Sequence, residues 1–217
     1  MTKYIFELMD EYKTGLSMYY PLIYSIVRGM ETKRAFEFGA GWSTKVILDA
    51  LRETEGYLLS ISTDSQKDVM VKNQTFEGAW DDVVWAYGKY MEGWTHFKGQ
   101  SDTFRADFEN SFGRLLPFDF VLHDGSHTEE VVFQDLAWVL AKMKYNSILL
   151  VHDVLHSKDG PGMRRAVKVA LKPYKHEIVT LPYGFGLSII EMKDNKHNGT
   201  VKIKKNKPTS NHTTEAL

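Results

Sequence analysis

Two short motifs in this sequence combine histidine and aspartate directly after a largely apolar run. The first, HDGSH, occupies residues 123–127, and the second, HDVLH, occupies residues 152–156. Imidazole and carboxylate groups in this arrangement suit a metal site or a general base, and they also occur as the polar ends of buried strands. The residue types alone leave all three interpretations open.

The two motifs are less symmetric than their spacing indicates. Neighbouring residues on a strand point to opposite faces of the sheet. His123 and Asp124 are therefore not expected to share a site, and the same holds for His152 and Asp153. The chain also contains no cysteine, which excludes disulfides, cysteine-bound zinc and thiol nucleophiles. We accordingly interpret His123 as structural and disfavour a zinc centre built from the whole cluster.

His127 is the histidine best placed for catalysis. Ser126 and Glu129 have the spacing of a capping box, so a helix is predicted to begin at Ser126. This puts His127 in the first helical turn, where the helix dipole disfavours a charged imidazole and the nearby Asp124 favours it. We expect His127 to be the general base, with Asp124 beside it as a second catalytic residue.

Apolar strands and amphipathic helices alternate along the chain around these motifs. Strands are predicted at residues 34–41, 57–64, 94–99, 118–124, 146–153, 175–181 and 186–192. Helices are predicted between most of them, for example at 66–79 and 162–171. The alternation predicts an α/β, Rossmann-like fold: a mostly parallel seven-stranded sheet with helices on both faces. The short PYGFG connection suits a hairpin, so the last strand is predicted to be reversed.

Composition and charge predict one soluble domain with extensions at both ends. We expect N-terminal helices over residues 1–30, the main domain over 31–192, and a basic polar tail, partly disordered, over 193–217. The formal net charge is −1, and no apolar run is long enough to span a membrane. We therefore expect a cytoplasmic protein that binds neither nucleic acid nor membrane, with a second copy of the chain as a candidate partner.

The residues at the carboxyl ends of the predicted parallel strands indicate a nucleoside site, because ligands bind at that edge of such a sheet. Gly39 and Gly41 follow the first strand, and Asp64 follows the second, 23 residues after Gly41. An acid in that place accepts hydrogen bonds from ribose hydroxyls. Thr44 replaces the third glycine of a dinucleotide motif, and Glu37 suits an ammonium group better than a phosphate.

Two segments resemble a known family. FEFGAGWST (residues 36–44) resembles the first motif of class I S-adenosylmethionine-dependent methyltransferases. VLHDGSHTEE and ILLVHDV resemble the Asp-Gly-x-His … His/Glu-Asp pattern of the branch that holds macrolide-sugar O-methyltransferases and cephalosporin-hydroxylase-like proteins. The resemblance covers about residues 20–192.

The resemblance implies a role for each matching residue. It implies that S-adenosylmethionine is bound by Glu37, Gly39, Gly41, Ser43, Asp64, Gln100, Ser101 and Asp124. It also implies that Asp124 and Asp153 hold Mg²⁺, with His152 as a candidate third ligand, and that His127 is the general base. Val154 stands where catechol-type members have a metal-binding asparagine, so the metal requirement is left open.

We therefore expect an S-adenosylmethionine-dependent methyltransferase that modifies a hydroxyl group of a small molecule, with a sugar hydroxyl as one candidate. Two alternatives stay open. One is a metal-dependent hydrolase or hydroxylase-like enzyme that uses the His/Asp cluster. The other is a cofactor-binding module without transfer activity.

Overall fold

The structure is a computed structural model that describes residues 15–64, 93–112 and 116–194. The predicted helical residues before position 15, the predicted helix at 66–79 and the tail beyond residue 194 lie outside the described residues. The strands and helices that carry the two His/Asp motifs and the glycine motif all lie within them.

The described residues form seven strands and five α-helices. The strands are β1 (Arg34–Phe38), β2 (Tyr57–Ser62), β3 (Trp94–Lys98), β4 (Phe118–His123), β5 (Met143–His152), β6 (His176–Leu181) and β7 (Leu187–Met192). The helices are α1 (Tyr20–Gly29), α2 (Trp42–Thr54), α3 (Ser101–Phe112), α4 (Glu129–Leu140) and α5 (Gly160–Leu171). A short 3₁₀ helix, Ser17–Tyr19, precedes α1.

The strands form one sheet with the order β3-β2-β1-β4-β5-β7-β6. The first five strands of the chain pair in parallel, and β7 pairs antiparallel with both β5 and β6. The predicted α/β sheet with a reversed last strand is therefore confirmed. Because β1 lies between β2 and β4, the strand order reverses beside β1, and this is where open parallel sheets bind ligands.

Helices cover both faces of the sheet. Helices α1 and α2 pack on one face against side chains such as Phe120 and Leu122 of β4. Helices α3, α4 and α5 pack on the other face, where they contact the side chain of Val121 of β4. The alternation along β4 leaves all six of its residues buried, as expected for a strand covered on both sides. This packing fixes the carboxyl ends of the central strands, where the polar residues of the two motifs lie.

The predicted start of α4 is wrong. The helix begins at Glu129 with Thr128 as its N-cap, and no side chain caps it. Ser126 instead accepts a hydrogen bond from the Thr128 amide at 3.2 Å, which closes a tight turn ahead of the helix. His127 therefore lies in this turn rather than in the first helical turn, and the helix dipole acts on it less than the sequence predicted.

Two other helix starts also differ from the sequence patterns. The N-cap of α2 is Gly41, whereas Ser43, whose residue type favours the N-cap position, lies inside the helix. Helix α5 begins at Gly160, two residues earlier than predicted, with Pro161 in its first turn. Proline is favoured there because its missing N–H group would have no helical partner.

Within the ranges that the structure describes, no helix is long and apolar enough to cross a membrane.

Candidate active site

A cavity of about 740 Å³ opens at the carboxyl ends of the parallel strands. This volume is typical of sites that bind small molecules. Of the residues that the sequence predicted to form the site, those in the cavity wall are Gly39, Gly41, Ser43, Asp64, Gln100, Ser101, Asp124, His127, His152 and Asp153. The structure thus brings residues from five strand ends to one continuous cavity.

The turn after β1 requires glycine at one of its two glycine positions. Gly39 has a φ of +87°, and a Cβ atom there would overlap the carbonyl oxygen of Asp124. The Asp124 amide also donates to the Phe38 carbonyl at 2.9 Å, so the ends of β1 and β4 are in close contact. A Cβ atom on Gly41 would meet nothing within 4 Å, which leaves that part of the cavity open for a ligand.

Glu37, at the end of β1, stabilises this turn through hydrogen bonds with the residues that follow it. It is fully buried, and its two carboxylate oxygens accept hydrogen bonds from Ser43 at 2.6 Å and from Thr44 at 2.7 Å. Thr44 in turn accepts a hydrogen bond from the Gly41 amide at 2.9 Å. Burial raises the pKa of Glu37 to about 8, although both hydroxyl donors oppose this rise. Glu37 is absent from the cavity wall, which differs from the predicted contact with an ammonium group.

The other end of the cavity is formed by the ends of β2 and β3. Asp64 follows β2, and Gln100 and Ser101 lie at the start of α3. The Ser101 hydroxyl accepts a hydrogen bond from Arg105 at 3.1 Å, which fixes the first turn of α3 beside the cavity. The structure thus places Asp64, Gln100 and Ser101 in the wall of one cavity, and their binding of a nucleoside stays a prediction.

His127 forms an ion pair with Asp153. Nε2 of His127 lies 2.8 Å from Oδ2 of Asp153, and the histidine side chain is 42% exposed. The hydrogen bond that His127 donates to Asp153 raises the pKa of His127, and partial burial opposes this rise. Because Nε2–H donates to the carboxylate, the neutral ring has its lone pair on Nδ1. The arrangement gives a proton acceptor that a carboxylate orients, which is the pairing used in many general bases.

His152 and Asp153 converge on one site, contrary to the prediction from strand alternation. Asp153 has a φ of +59°, so the chain leaves the extended conformation there and the side chain turns towards the site. Nδ1 of His152 lies 2.9 Å from Asp124 and 3.2 Å from Asp153. Nε2 of His152 lies 3.0 Å from the carbonyl oxygen of Gly184, which fixes the ring from its other side.

The contacts of His152 favour its charged form. A carbonyl oxygen on one side and two carboxylates on the other only accept hydrogen bonds, so both ring nitrogens donate. Burial alone would lower the pKa of His152, but the hydrogen bonds to Asp124 and Asp153 outweigh it and raise the pKa to about 10. Burial likewise opposes ionisation of Asp153, yet His127 and His152 hold its pKa well below its ordinary value.

The same three side chains form a donor set that fits a divalent cation. One ligand atom from each of Asp124, His152 and Asp153 lies within 4.8 Å of the others. Two carboxylates and an imidazole suit a hard or borderline divalent ion, and the Gly184 carbonyl would orient the histidine as a supporting partner. Val154 is buried in the core and does not contribute, whereas His152 supplies the third donor.

Among the cavity residues that were not predicted from the sequence, three carry polar or aromatic side chains of interest. Tyr20 is only 3% exposed, yet it lines the cavity, and burial, with smaller effects of Asp124 and Glu37, raises its pKa. Asp135 on α4 is buried and forms an ion pair with Arg105. Phe185 reaches the cavity from the β6–β7 turn. The sequence pattern predicts that Tyr20 and Asp135 lie on helices. It does not indicate that their side chains line a cavity, because nothing in the local spacing differs from that of ordinary core or surface residues.

His123 has a structural position, in line with its interpretation from the sequence. It is fully buried, its ring is tilted by 42° against that of Phe38 with the ring centroids 5.0 Å apart, and it contacts Asp135 at 3.4 Å. Nδ1 of His123 has no hydrogen-bond partner in the described part of the chain. His123 is absent from the cavity wall.

Comparison with known proteins agrees with this geometry. A family model described as a methyltransferase domain matches residues 36–154, which is more than half of the chain. No curated protein matches the sequence significantly. The matched segment runs from β1 to Val154, within the second His/Asp motif, so it contains most of the cavity residues.

Several solved structures share the fold at low identity. The O-methyltransferase from Bacillus cereus in complex with S-adenosylhomocysteine (SAH) has a TM-score of 0.61 at 16% identity, and the match covers 81% of each chain. The SAH-bound methyltransferase PaMTH1 from Podospora anserina has a TM-score of 0.63 at 15% identity, with 89% of each chain covered. MycE, a methyltransferase of mycinamycin biosynthesis, has a TM-score of 0.59 at 13% identity, covering 91% of this chain and 57% of MycE.

The family match extends over most of the sheet edge at which the glycine turn, Asp64 and the two His/Asp motifs meet. The chain therefore belongs to this methyltransferase-domain family.

Proposed function

We propose that this protein transfers a methyl group from S-adenosylmethionine to a hydroxyl oxygen of a small molecule. The observation that carries the proposal is that one cavity joins two kinds of residue. Asp64 and Ser101 at one end suit a nucleoside, and the His127–Asp153 pair at the other end suits removal of a proton. A cofactor held along the strand ends would thus have its reactive end beside a base.

The cofactor end of the cavity fits the nucleoside by shape and charge. The carboxylate of Asp64 would accept hydrogen bonds from the ribose hydroxyls. Gly41 leaves open space where a side chain would otherwise stand, so the ligand can approach the backbone closely. Glu37 would act from behind the turn, because its carboxylate fixes Ser43 and Thr44 rather than the ligand.

The acceptor end supplies a base with a defined tautomer. When bound, S-adenosylmethionine supplies a methyl group on a sulfonium and leaves as S-adenosylhomocysteine with the electron pair of the broken C–S bond. The acceptor oxygen forms the new O–C bond and releases its proton to Nδ1 of His127. Asp153 holds Nε2–H of the same ring, which orients the base and stabilises the imidazolium that forms. Positioning would contribute most of the acceleration.

A divalent cation would be held by Asp124, Asp153 and Nδ1 of His152. Binding would require that Nδ1 lose the proton that it now shares with the two carboxylates. A divalent ion held by these residues would supply positive charge that lowers the pKa of a nearby hydroxyl group. MycE, a structural neighbour, was crystallised with Mg, SAH and mycinamycin VI, which supports Mg²⁺ as the ion to test.

Calorimetry with S-adenosylmethionine and SAH tests the cofactor assignment. We expect wild type to bind both, and Asp64→Ala to weaken binding by about 1.5–3 kcal/mol, because a hydrogen bond to a charged group is lost. Glu177→Ala on the outer strand β6 removes the same charge far from the cavity and should bind as wild type does. Tight binding of NAD instead of either ligand, or zinc-dependent hydrolysis without methyl transfer, would contradict the proposal.

A further inference from the structure

We propose that His96 is a positioning residue for the cofactor site, which fixes the backbone of Asp64 so that its carboxylate points correctly at the ribose. This inference rests on the proposed function, because it assumes that Asp64 binds the cofactor. His96 lies on β3 and is absent from the cavity wall, so any effect on binding must pass through another residue.

A chain of hydrogen bonds leads from the core to Asp64. Ser60 on β2 and His96 on β3 are direct partners in the parallel pairing of these strands. The indole Nε1–H of the buried Trp94 donates to the Ser60 hydroxyl at 2.8 Å. Nδ1 of His96 lies 2.9 Å from the same hydroxyl, and Nε2 of His96 lies 2.9 Å from the carbonyl oxygen of Asp64.

The donors and acceptors in this series of hydrogen bonds allow only one direction of donation, from Trp94 towards Asp64. An indole N–H only donates, and a carbonyl oxygen only accepts. Nε2 of His96 must therefore carry a proton and donate it to Asp64. Nδ1 then accepts from the Ser60 hydroxyl, which is free to donate because it accepts from Trp94. Burial also lowers the pKa of His96, which agrees with a neutral ring in this single tautomer.

The consequence is that the turn after β2 is tied to the neighbouring strand. Asp64 lies two residues beyond the end of β2, outside the ladder of the sheet. Its carbonyl accepts from His96, and the Ser62 hydroxyl approaches it at 3.3 Å. A binding residue in a loop gains affinity when its neighbours hold it in the bound geometry before the ligand arrives. His96 would supply this constraint from a rigid strand.

Two polar substitutions separate positioning from general stability. In His96→Gln, the amide nitrogen reaches the place of Nε2 and can still donate to Asp64. In His96→Asn, the shorter amide reaches only the place of Nδ1, so the contact with Ser60 is kept and the contact with Asp64 is lost. Thr95→Val is the matched control, because Thr95 on the same strand bonds to Tyr57 on β2 and not to Asp64.

Calorimetry with two probes, SAH and its 2′-deoxy analogue, gives the readout. We expect His96→Asn to weaken SAH binding roughly three- to tenfold, the range of one neutral hydrogen bond, while His96→Gln and Thr95→Val stay within about twofold of wild type. The loss in His96→Asn should be smaller for the 2′-deoxy analogue, because one hydroxyl that Asp64 recognises is already missing.

The outcomes distinguish this inference from the proposed function. If wild type binds SAH and His96→Asn binds it equally well, or loses the same factor for both probes, the positioning role is overturned and the proposed function stands. If wild type binds neither probe, both are overturned. A double variant with Asp64→Ala adds a second check, because His96→Asn should then cause no further loss of binding.

Discussion

The acid–base chemistry of the site depends on which nitrogen of each histidine meets a carboxylate. His127 uses Nε2 for Asp153 and keeps Nδ1 available, whereas His152 uses both nitrogens. A ring with a nitrogen available can accept a proton, and a ring with both nitrogens engaged cannot. The two histidines that share the Asp153 carboxylate thus differ in their ability to accept a proton, and only His127 fits the role of base.

Removal of the His127 ring should therefore impair the reaction and not cofactor binding. We expect His127→Ala to lower kcat by about 10² to 10⁴, the typical contribution of a general base. The dissociation constant for S-adenosylmethionine, measured by calorimetry, should change little. His176→Ala, which removes a partly exposed histidine on the far edge of the sheet, is the control. A near-wild-type kcat in His127→Ala would show that another group accepts the proton.

At the scale of the elements, the two glycines in the turn between β1 and α2 serve different purposes. Gly39 is required for folding, and Gly41 leaves space for a ligand. Gly39 has a positive φ and touches Asp124, whereas Gly41 has an extended φ of −167° and open space around it. We expect Gly39→Ala to lower the free energy of unfolding by about 3 kcal/mol or more, because the overlap and the backbone strain add. Thermal or urea unfolding measures this loss.

The matched substitution at Gly41 should have the opposite pattern. Gly41→Ala should change the free energy of unfolding by no more than about 1 kcal/mol, because nothing lies within 4 Å of the added methyl group and the cost is that of alanine at an N-cap. Its methyl group would, however, occupy the open part of the cavity and weaken S-adenosylmethionine binding. Our description of the turn would be contradicted if Gly41→Ala strongly lowered the free energy of unfolding, or if Gly39→Ala were as stable as wild type.

The central strands were predictable from the sequence because two-sided burial leaves a continuous apolar run. This holds for β4, all of whose residues are buried, and for the last part of β5. The glycine turn and Asp64 were also predictable, because their spacing places them at neighbouring strand ends. The topology with the reversed β7 followed from the short connection to β6.

The parts that the sequence did not predict depend on single backbone angles or on distant contacts. Strand alternation places His152 and Asp153 on opposite faces, but the left-handed conformation of Asp153 brings them together. The pattern at Ser126 fits a capping box, yet its hydroxyl closes a local turn instead. Tyr20 enters the site through packing between elements, and no spacing within its own helix indicates this.

At the scale of the whole molecule, the site depends on segments from both ends of the described chain. The Tyr19 hydroxyl donates to the carbonyl oxygens of Leu181 and Tyr183 and so holds the β6–β7 turn against the N-terminal segment. The next residue of that turn, Gly184, accepts the hydrogen bond from His152. The geometry of the His/Asp cluster is thus coupled to the packing of the N-terminal segment on the terminal hairpin.

The buried Glu37 should also make the stability of the whole protein depend on pH. Its pKa of about 8 in the folded state lies above the ordinary value of 4.5, chiefly because burial disfavours the charged form. Between these two pH values, the folded protein keeps a proton that the unfolded chain releases. The contribution of Glu37 to the free energy of unfolding is therefore largest below pH 4.5 and is lost as pH rises to about 8.

Urea denaturation at several pH values from about 5 to 8 measures this effect, and Glu37→Gln isolates it, because an amide keeps the shape of the protonated carboxyl but does not titrate. We expect wild type to lose stability across this range and Glu37→Gln to lose clearly less. Glu177→Gln, which neutralises an exposed carboxylate on β6, should follow wild type. Equal slopes for Glu37→Gln and wild type would mean that Glu37 is ionised in the folded protein, so that Ser43 and Thr44 stabilise the carboxylate more than burial destabilises it.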